Sequence, residues 1–143
     1  MEFVEIDWNS NLYSQEIELR DRLLRAPLGL AFSSEELAAE SSELHFALVD
    51  EEQVRACAVI VPLSADLAKL RQMAVHENYQ RQGLGSSLIH QIELALQRRG
   101  FPKIELNARE EAVAFYQGLG YQTVGDRFME VGIPHWKMHH ELG

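Results

Sequence analysis

Apolar positions recur along this chain in two rhythms, every second residue and every third or fourth, and their alternation lays out its elements. Residues 3–8 alternate apolar and polar side chains, which predicts a short strand. Asn9 or Ser10 can cap a helix to about Arg25, with Leu12, Ile17, Leu19, Leu23 and Leu24 only roughly periodic; Pro27 and Gly29 end it. Ser33-Ser34-Glu35-Glu36 reads as a cap with acidic first-turn residues, opening a second short helix near Leu37. Residues 44–49 and 54–61 form a hairpin across Asp50-Glu51-Glu52-Gln53, and Pro62 and Ser64 turn the chain into a third meander strand, 67–75. Leu84, Leu88, Ile89, Ile92, Ala95 and Leu96 fall at helical spacing, giving a helix over 86–99 that stops at Gly100 with Pro102 just beyond. A strand at 103–106, a helix over 110–119 and strands near 121–124 and 135–142 complete the order. No repeat, low-complexity tract or linker interrupts it, so residues 1–143 read as a single domain.

Composition narrows the function classes. The formal net charge of −9 argues against nucleic-acid or anionic-membrane binding, which need a basic field, and weakly favours cationic acceptors such as amines. The single cysteine, Cys57, excludes an internal disulfide and sits in the apolar run 54–61, which reads as core rather than as a nucleophile. No basic leader precedes an apolar run at Met1-Glu2-Phe3-Val4, and no stretch approaches the ~18 apolar residues a membrane span requires; a cytoplasmic protein is expected.

Between strand 67–75 and the following helix lies Gln80-Arg81-Gln82-Gly83-Leu84-Gly85, followed by Ser86. Two glycines there let the backbone turn tightly and aim N–H groups outward at a helix N-terminus, a ready anion site. The absence of a Lys-Ser/Thr pair excludes a Walker loop, and the spacing is not the dinucleotide fingerprint. The loop resembles the acetyl-coenzyme A signature of the GNAT N-acetyltransferases, Gln/Arg-x-x-Gly-x-Gly/Ala after a strand. Further matches follow in order: Leu106-Asn107-Ala108 closing a strand, then Ala112, Phe115 and Tyr116 before Gly118, Gly120 and Tyr121. Together they cover residues 67–142, about half the chain. The segment Ile133-Pro134-His135-Trp136-Lys137-Met138 is also similar to the tail of a poorly characterised bacterial subgroup.

The resemblance implies an α/β (α+β) GNAT fold: a mixed, mostly antiparallel sheet of about seven strands with four helices, splayed between strands four and five. It implies acetyl-CoA as co-substrate, held by Gln80, Arg81, Gln82, Gly83, Leu84, Gly85 and Ser86, with Met73, Ala74 and Val75 offering an unpaired backbone edge to the pantetheine arm. A backbone N–H near Val75 would polarise the thioester carbonyl. Arg81 is equally readable as a solvated loop residue. The family pattern Asn-x-x-Ala-x-x-x-Tyr reads here as Arg109-x-x-Ala112-x-x-x-Tyr116; Arg109 replaces the Asn, and Asn107 is an alternative source of its cofactor hydrogen bond. Helical spacing puts Ala112, Phe115 and Leu119 on the packing face with Tyr116 one step round.

Tyr116 is the candidate general acid, since a phenol near ~10 stays protonated beside a thiol near ~8.5; an aromatic that merely packs is the alternative. Glu130 and His135, placed in the loop before the last strand, are the candidate bases, because histidine titrates near ~6.5; a structural histidine or a water relay serves equally. His135, His139 and His140 do not suggest a metal, because adjacent strand residues face opposite ways and no second spaced pair exists. Lys69 and Arg71 share a strand face with Met73 and would suit an acceptor carrying a carboxylate, or be plain solvated surface. Arg20, Arg22 and Arg25 raise the same question, with two of the three expected to be solvated. The expected reaction is acetyl transfer to a primary amine of a small molecule. Protein lysine or N-terminal acetylation and a non-catalytic acyl-CoA sensor are the alternatives, and the family makes a homodimer plausible.

Overall fold

A computed structural model describes residues 1–143. Seven strands form one sheet: β1 (Glu2–Glu5), β2 (Leu44–Asp50), β3 (Gln53–Pro62), β4 (Leu67–Val75), β5 (Lys103–Arg109), β6 (Gln122–Glu130) and β7 (Ile133–Glu141). Their spatial order is β1-β2-β3-β4-β5-β7-β6. Every neighbouring pair is antiparallel except β4 and β5. That parallel join is a consequence of the crossover helix α3 (Leu84–Arg98) between them. Helices α1 (Asn11–Arg20), α2 (Ser34–Ala39) and α4 (Val113–Gly118) complete the fold.

The crossover helix has one apolar stripe, and it buries Leu88, Ile89, Ile92 and Leu96 against Phe46, Ile60, Leu70, Ile104, Leu106 and Met138 of the sheet. The opposite face packs Ile6, Tyr13 and Leu19 on Ala47, Val49, Val54, Cys57 and Ala74. Cys57 is fully buried, and desolvation drives its thiol far above the ordinary range, so it is core as its apolar run implied. The caps follow the sequence reading. The Ser10 side chain accepts from the Tyr13 amide. Ser33 and Glu36 form a reciprocal capping box.

β1 spans 2–5 rather than 3–8, β5 runs to Arg109 rather than to residue 106 and α4 covers 113–118 rather than 110–119; three further boundaries also differ from expectation. α1 ends at Arg20; residues 21–25 continue as a wider turn, and a tight turn over 26–28 contains Pro27, which cannot prolong a helix. β6 runs to Glu130 rather than to residue 124, because a bulge between Val124 and Phe128 absorbs Gly125 without ending the pairing. β7 begins at Ile133, across a two-residue turn in which Val131 and Gly132 both have positive φ (46° and 74°). Glu130 and His135 therefore lie on paired strands, not in the loop where the sequence placed them.

Two irregularities of β4 shape the centre of the molecule. β4 and β5 pair from Leu67↔Lys103 to Leu70↔Leu106 and then part. Against β3, the register slips between Cys57↔Ala74 and Val59↔Arg71, so one extra β4 residue is accommodated near Gln72.

Candidate active site

Where β4 leaves β5, a cavity of about 560 Å³ opens. Lys69, Arg71, Gln72 and Met73 of β4 form one wall, and Asn107, Ala108 and Arg109 of β5 the facing one. Phe115 and Tyr116 of α4 close the floor, while Glu130, Val131 and His135 of the β6–β7 hairpin enter from the side. Leu24, Arg25, Leu28 and Leu30 roof it. Of the residues singled out in the sequence, Met73, Asn107, Tyr116, Glu130, His135, Lys69, Arg71 and Arg25 meet here. Ala74 instead packs toward α1, and the side chains of Ala74 and Val75 do not line the cavity.

The loop Gln80–Ser86 lies outside the cavity but abuts it. A Cβ built on Gly85 would stand 3.5 Å from Phe115 and 3.7 Å from Met73, so α3 starts against the splayed end of β4. Gly83 precedes the helix at φ 82°, a conformation that glycine alone adopts freely, and no side chain caps the first turn. That turn also holds no acidic residue, leaving its amides and the positive end of a 15-residue helix open to an anion. Gln80 has a different part: its Nε2 donates to the Val75 carbonyl at 3.0 Å and ties the loop to the strand end.

Tyr116 is buried in the core and meets Tyr121 edge-on at 5.8 Å, whereas Phe115 is the exposed ring of the pair, the reverse of the helical-wheel expectation. The reversal follows from α4, which is six residues long and opens through a tight turn over 110–112, shifting the wheel. Burial pushes the Tyr116 hydroxyl up to about 12, with no hydrogen bond or charge contributing.

His135 stands 4% exposed, stacked on Phe128. Its Nδ1 lies 2.7 Å from the Ile133 carbonyl, which can only accept, so Nδ1 carries the proton. Its Nε2 faces Glu130 Oε2 at 3.4 Å, and Asn107 Nδ2 donates to Glu130 Oε1 at 3.2 Å. Asn107 Oδ1 is buried with no partner.

Four cations (Arg25, Lys69, Arg71, Arg109) and two carboxylates (Glu111, Glu130) line the cavity, a positive balance in a chain of net charge −9. Arg25 is engaged by Glu36 at 3.0 Å and lies over the Phe32 ring. Arg22 pairs with Glu77 at 2.8 Å near the surface. Arg20 departs furthest from a solvated reading: it is wholly buried among Glu16, Glu40 and Gln72. Glu16, Glu40 and His45 bring three ligand-type atoms within 4.8 Å of one another, but the guanidinium of Arg20 already supplies their cation at 2.5 Å. The sequence reading did not point to Gln72 or Glu111, and it met Arg109 only as the replacement of the family's Asn. Arg25, already a candidate in the sequence, and the exposed apolar Leu28 and Leu30 beside Pro27 and Gly29 were the signals available for its roof.

Comparison with known proteins agrees with this architecture. The family described as Acetyltransferase (GNAT) domain matches residues 29–142, and the chain belongs to that family. It is 36% identical over 75 residues to the uncharacterized protein YyaT of Bacillus subtilis (strain 168), an overlap of 52% of this chain and 51% of that one. The chain thus spans about half the length of the curated relatives it matches. An aminoglycoside 6'-N-acetyltransferase complexed with coenzyme A superposes at TM-score 0.84 and 19% identity, covering 99% of this chain and 97% of the other. The ribosomal-protein-S18-alanine N-acetyltransferase from Escherichia coli superposes at 0.78 and 21% identity, covering 99% and 94%. At such identities the likeness is one of fold.

Proposed function

We propose that this protein transfers an acetyl group from acetyl-CoA to a primary amine on a small molecule. The observation that carries the reading is the opening of β4 from β5 into a cavity that holds Tyr116 and the Glu130–His135 pair. The site fits the co-substrate at two further points. The uncapped start of α3 suits a pyrophosphate, with Arg81 beside it, and the free edge of β4 from Arg71 to Val75 suits an amide chain added as a strand.

Bound acetyl-CoA supplies an activated acyl carbon and a thiolate leaving group. A β4 backbone N–H near Val75 polarises the carbonyl. His135 Nε2 takes a proton from the acceptor ammonium, and Glu130 stabilises the imidazolium that results. The freed amine forms the C–N bond as the C–S bond breaks. Tyr116, at about 12, keeps its proton at rest and donates a hydrogen bond that strengthens as charge builds on sulfur. The nitrogen gives up two protons in all; one ends on the CoA thiol and His135 releases the other to water, so the enzyme ends unchanged.

A small acceptor is favoured over a protein because residues 24–30 roof the cavity and the β6–β7 hairpin walls it, enclosing a volume of small-molecule size. Its positive balance favours an amine that also carries an acid group, met by Lys69 and Arg71. Thiol release from acetyl-CoA across a panel of amines and amino acids tests the reading. Turnover of protein substrates but not free amines would replace the small-molecule assignment. Tight acetyl-CoA binding with no turnover on any acceptor would make the domain a sensor.

A further inference from the structure

Gln72 sits in the bulge of β4, two residues beyond Leu70, the last residue paired with β5. Its φ is 51°, in the left-handed region that side chains rarely occupy. Glutamine has no local hydrogen-bonding habit that favours this region, so something outside β4 must hold it there. That partner is Arg20. Gln72 Oε1 accepts from Arg20 Nε at 2.9 Å and from Nη2 at 2.7 Å.

Arg20 is fixed in turn. Its remaining donors go to Glu16 Oε2 at 2.5 Å and to Glu40 Oε1 and Oε2 at 2.9 and 2.5 Å, so all five guanidinium N–H groups are used. The Phe32 ring covers the guanidinium at 4.8 Å. The side chain is 0% exposed, at the end of α1, and has no freedom to follow a shift of the strand. It is therefore a fixed anchor from which Gln72 is held.

We infer that Gln72 is a positioning residue for acyl transfer, clamped by Arg20 so that the β4 backbone over Met73–Val75 presents its N–H to the thioester carbonyl. This rests on the acetyl-transfer reading above. The clamp joins two elements that sequence separates by 52 residues, and it acts at the point where β4 must leave β5 and still face the cavity. Without it, Gln72 would relax toward ordinary strand geometry, the extra residue would be redistributed along β4, and the free edge would rotate.

The test uses acetyl-CoA labelled with carbon-13 at the acetyl carbonyl and reads its infrared band when bound. In the wild type the band should fall below that of free acetyl-CoA. In Gln72→Gly, which tolerates the positive φ but lacks the acceptor, most of that shift should vanish. Its kcat for thiol release should fall about tenfold or more, while affinity for CoA without the acetyl group stays within about twofold. Gln72→Glu, which keeps an oxygen facing Arg20, should retain the band shift. Gln72→Met, which preserves side-chain length, replaces the glycine variant if the latter does not fold. A full shift in both Gln72→Gly and Gln72→Met would overturn this inference alone. No shift in a wild type that binds acetyl-CoA would also overturn it. Failure of the wild type to bind acetyl-CoA would overturn the acetyl-transfer reading with it.

Discussion

His135 holds its Nδ1 against the carbonyl oxygen of Ile133, 2.7 Å away and two residues earlier on the same strand. That contact fixes the ring's orientation and leaves Nε2 directed toward Glu130 and the cavity. If this nitrogen takes the acceptor's proton, His135→Gln should lower kcat about 10²-fold with little change in acetyl-CoA affinity. Glu130→Gln, which removes the stabilising charge but keeps the shape, should cost less, roughly tenfold. Both variants within threefold of wild type in steady-state thiol release would leave a water relay as the base.

Tyr116→Phe removes a hydroxyl that no protein group engages, so the fold should tolerate it while kcat falls by about 10²-fold. Because burial lifts this phenol to about 12, it stays protonated across the working range, and the ratio of wild-type to variant rates should be flat from pH 6 to 9. An unchanged rate would make Tyr116 a packing residue between Phe115 and Tyr121.

Gly83→Asp places a carboxylate at the open N-terminus of α3 and a side chain at φ 82°. Calorimetry should show wild-type binding of acetyl-CoA in the micromolar range, weakened about tenfold or more in the variant. Equal affinities would remove the loop from coenzyme binding.

Much of this arrangement was legible before any coordinates. Apolar alternation placed β4 at its observed bounds, and the Gly-x-Gly loop marked the start of α3, because both depend on local propensity and spacing. The hairpin that carries Glu130 and His135 was misplaced, since Gly125 and Pro134 look like strand breakers. A bulge takes up the one, and the other pairs with Met129 near the end of the hairpin. Arg20 was unreadable for a different reason. A buried arginine looks like a surface one until Glu16, Glu40 and Gln72 are seen to converge on it, and only the packing of the last turn of α1 against β4 and against the chain just past α2 brings them together.

The same cluster makes stability depend on pH. His45 Nδ1 lies 3.0 Å from Glu16 Oε2 and Nε2 3.0 Å from the Glu40 carbonyl, so both neighbours accept and the ring is held as an imidazolium. Burial alone would lower its pKa, but the hydrogen bond and charge of Glu16 outweigh burial and raise it above the ordinary value. A raised histidine binds its proton more tightly in the folded state. Its contribution is complete below the unfolded value near ~6.5 and is lost as pH climbs through the folded one. Urea midpoints should therefore decline from pH 6 to 9 in the wild type, and His45→Gln should be less stable at pH 6 with a flatter profile. A wild-type midpoint that rises over that interval would contradict the assignment.

The acceptor is where charge makes the sharpest prediction. Lys69 and Arg71 line the cavity and, like Arg109 of β5, form no salt bridge, although the charge of Glu43 acts on Arg71; Arg25, the fourth cavity cation, is committed to Glu36. An acid group on the amine would find the two β4 cations on the face that looks toward residues 24–30. Arg71→Gln should then raise KM for an acid-bearing amine about tenfold and leave kcat nearly unchanged, the pattern of lost ground-state binding. The same variant should leave KM for a matched amine without the acid group untouched, which separates charge recognition from damage to the β4 bulge next door. Equal losses on both amines would assign Arg71 to the strand's geometry. Preferential turnover of a polyamine would keep the acetyltransferase and refute the role given to Lys69 and Arg71.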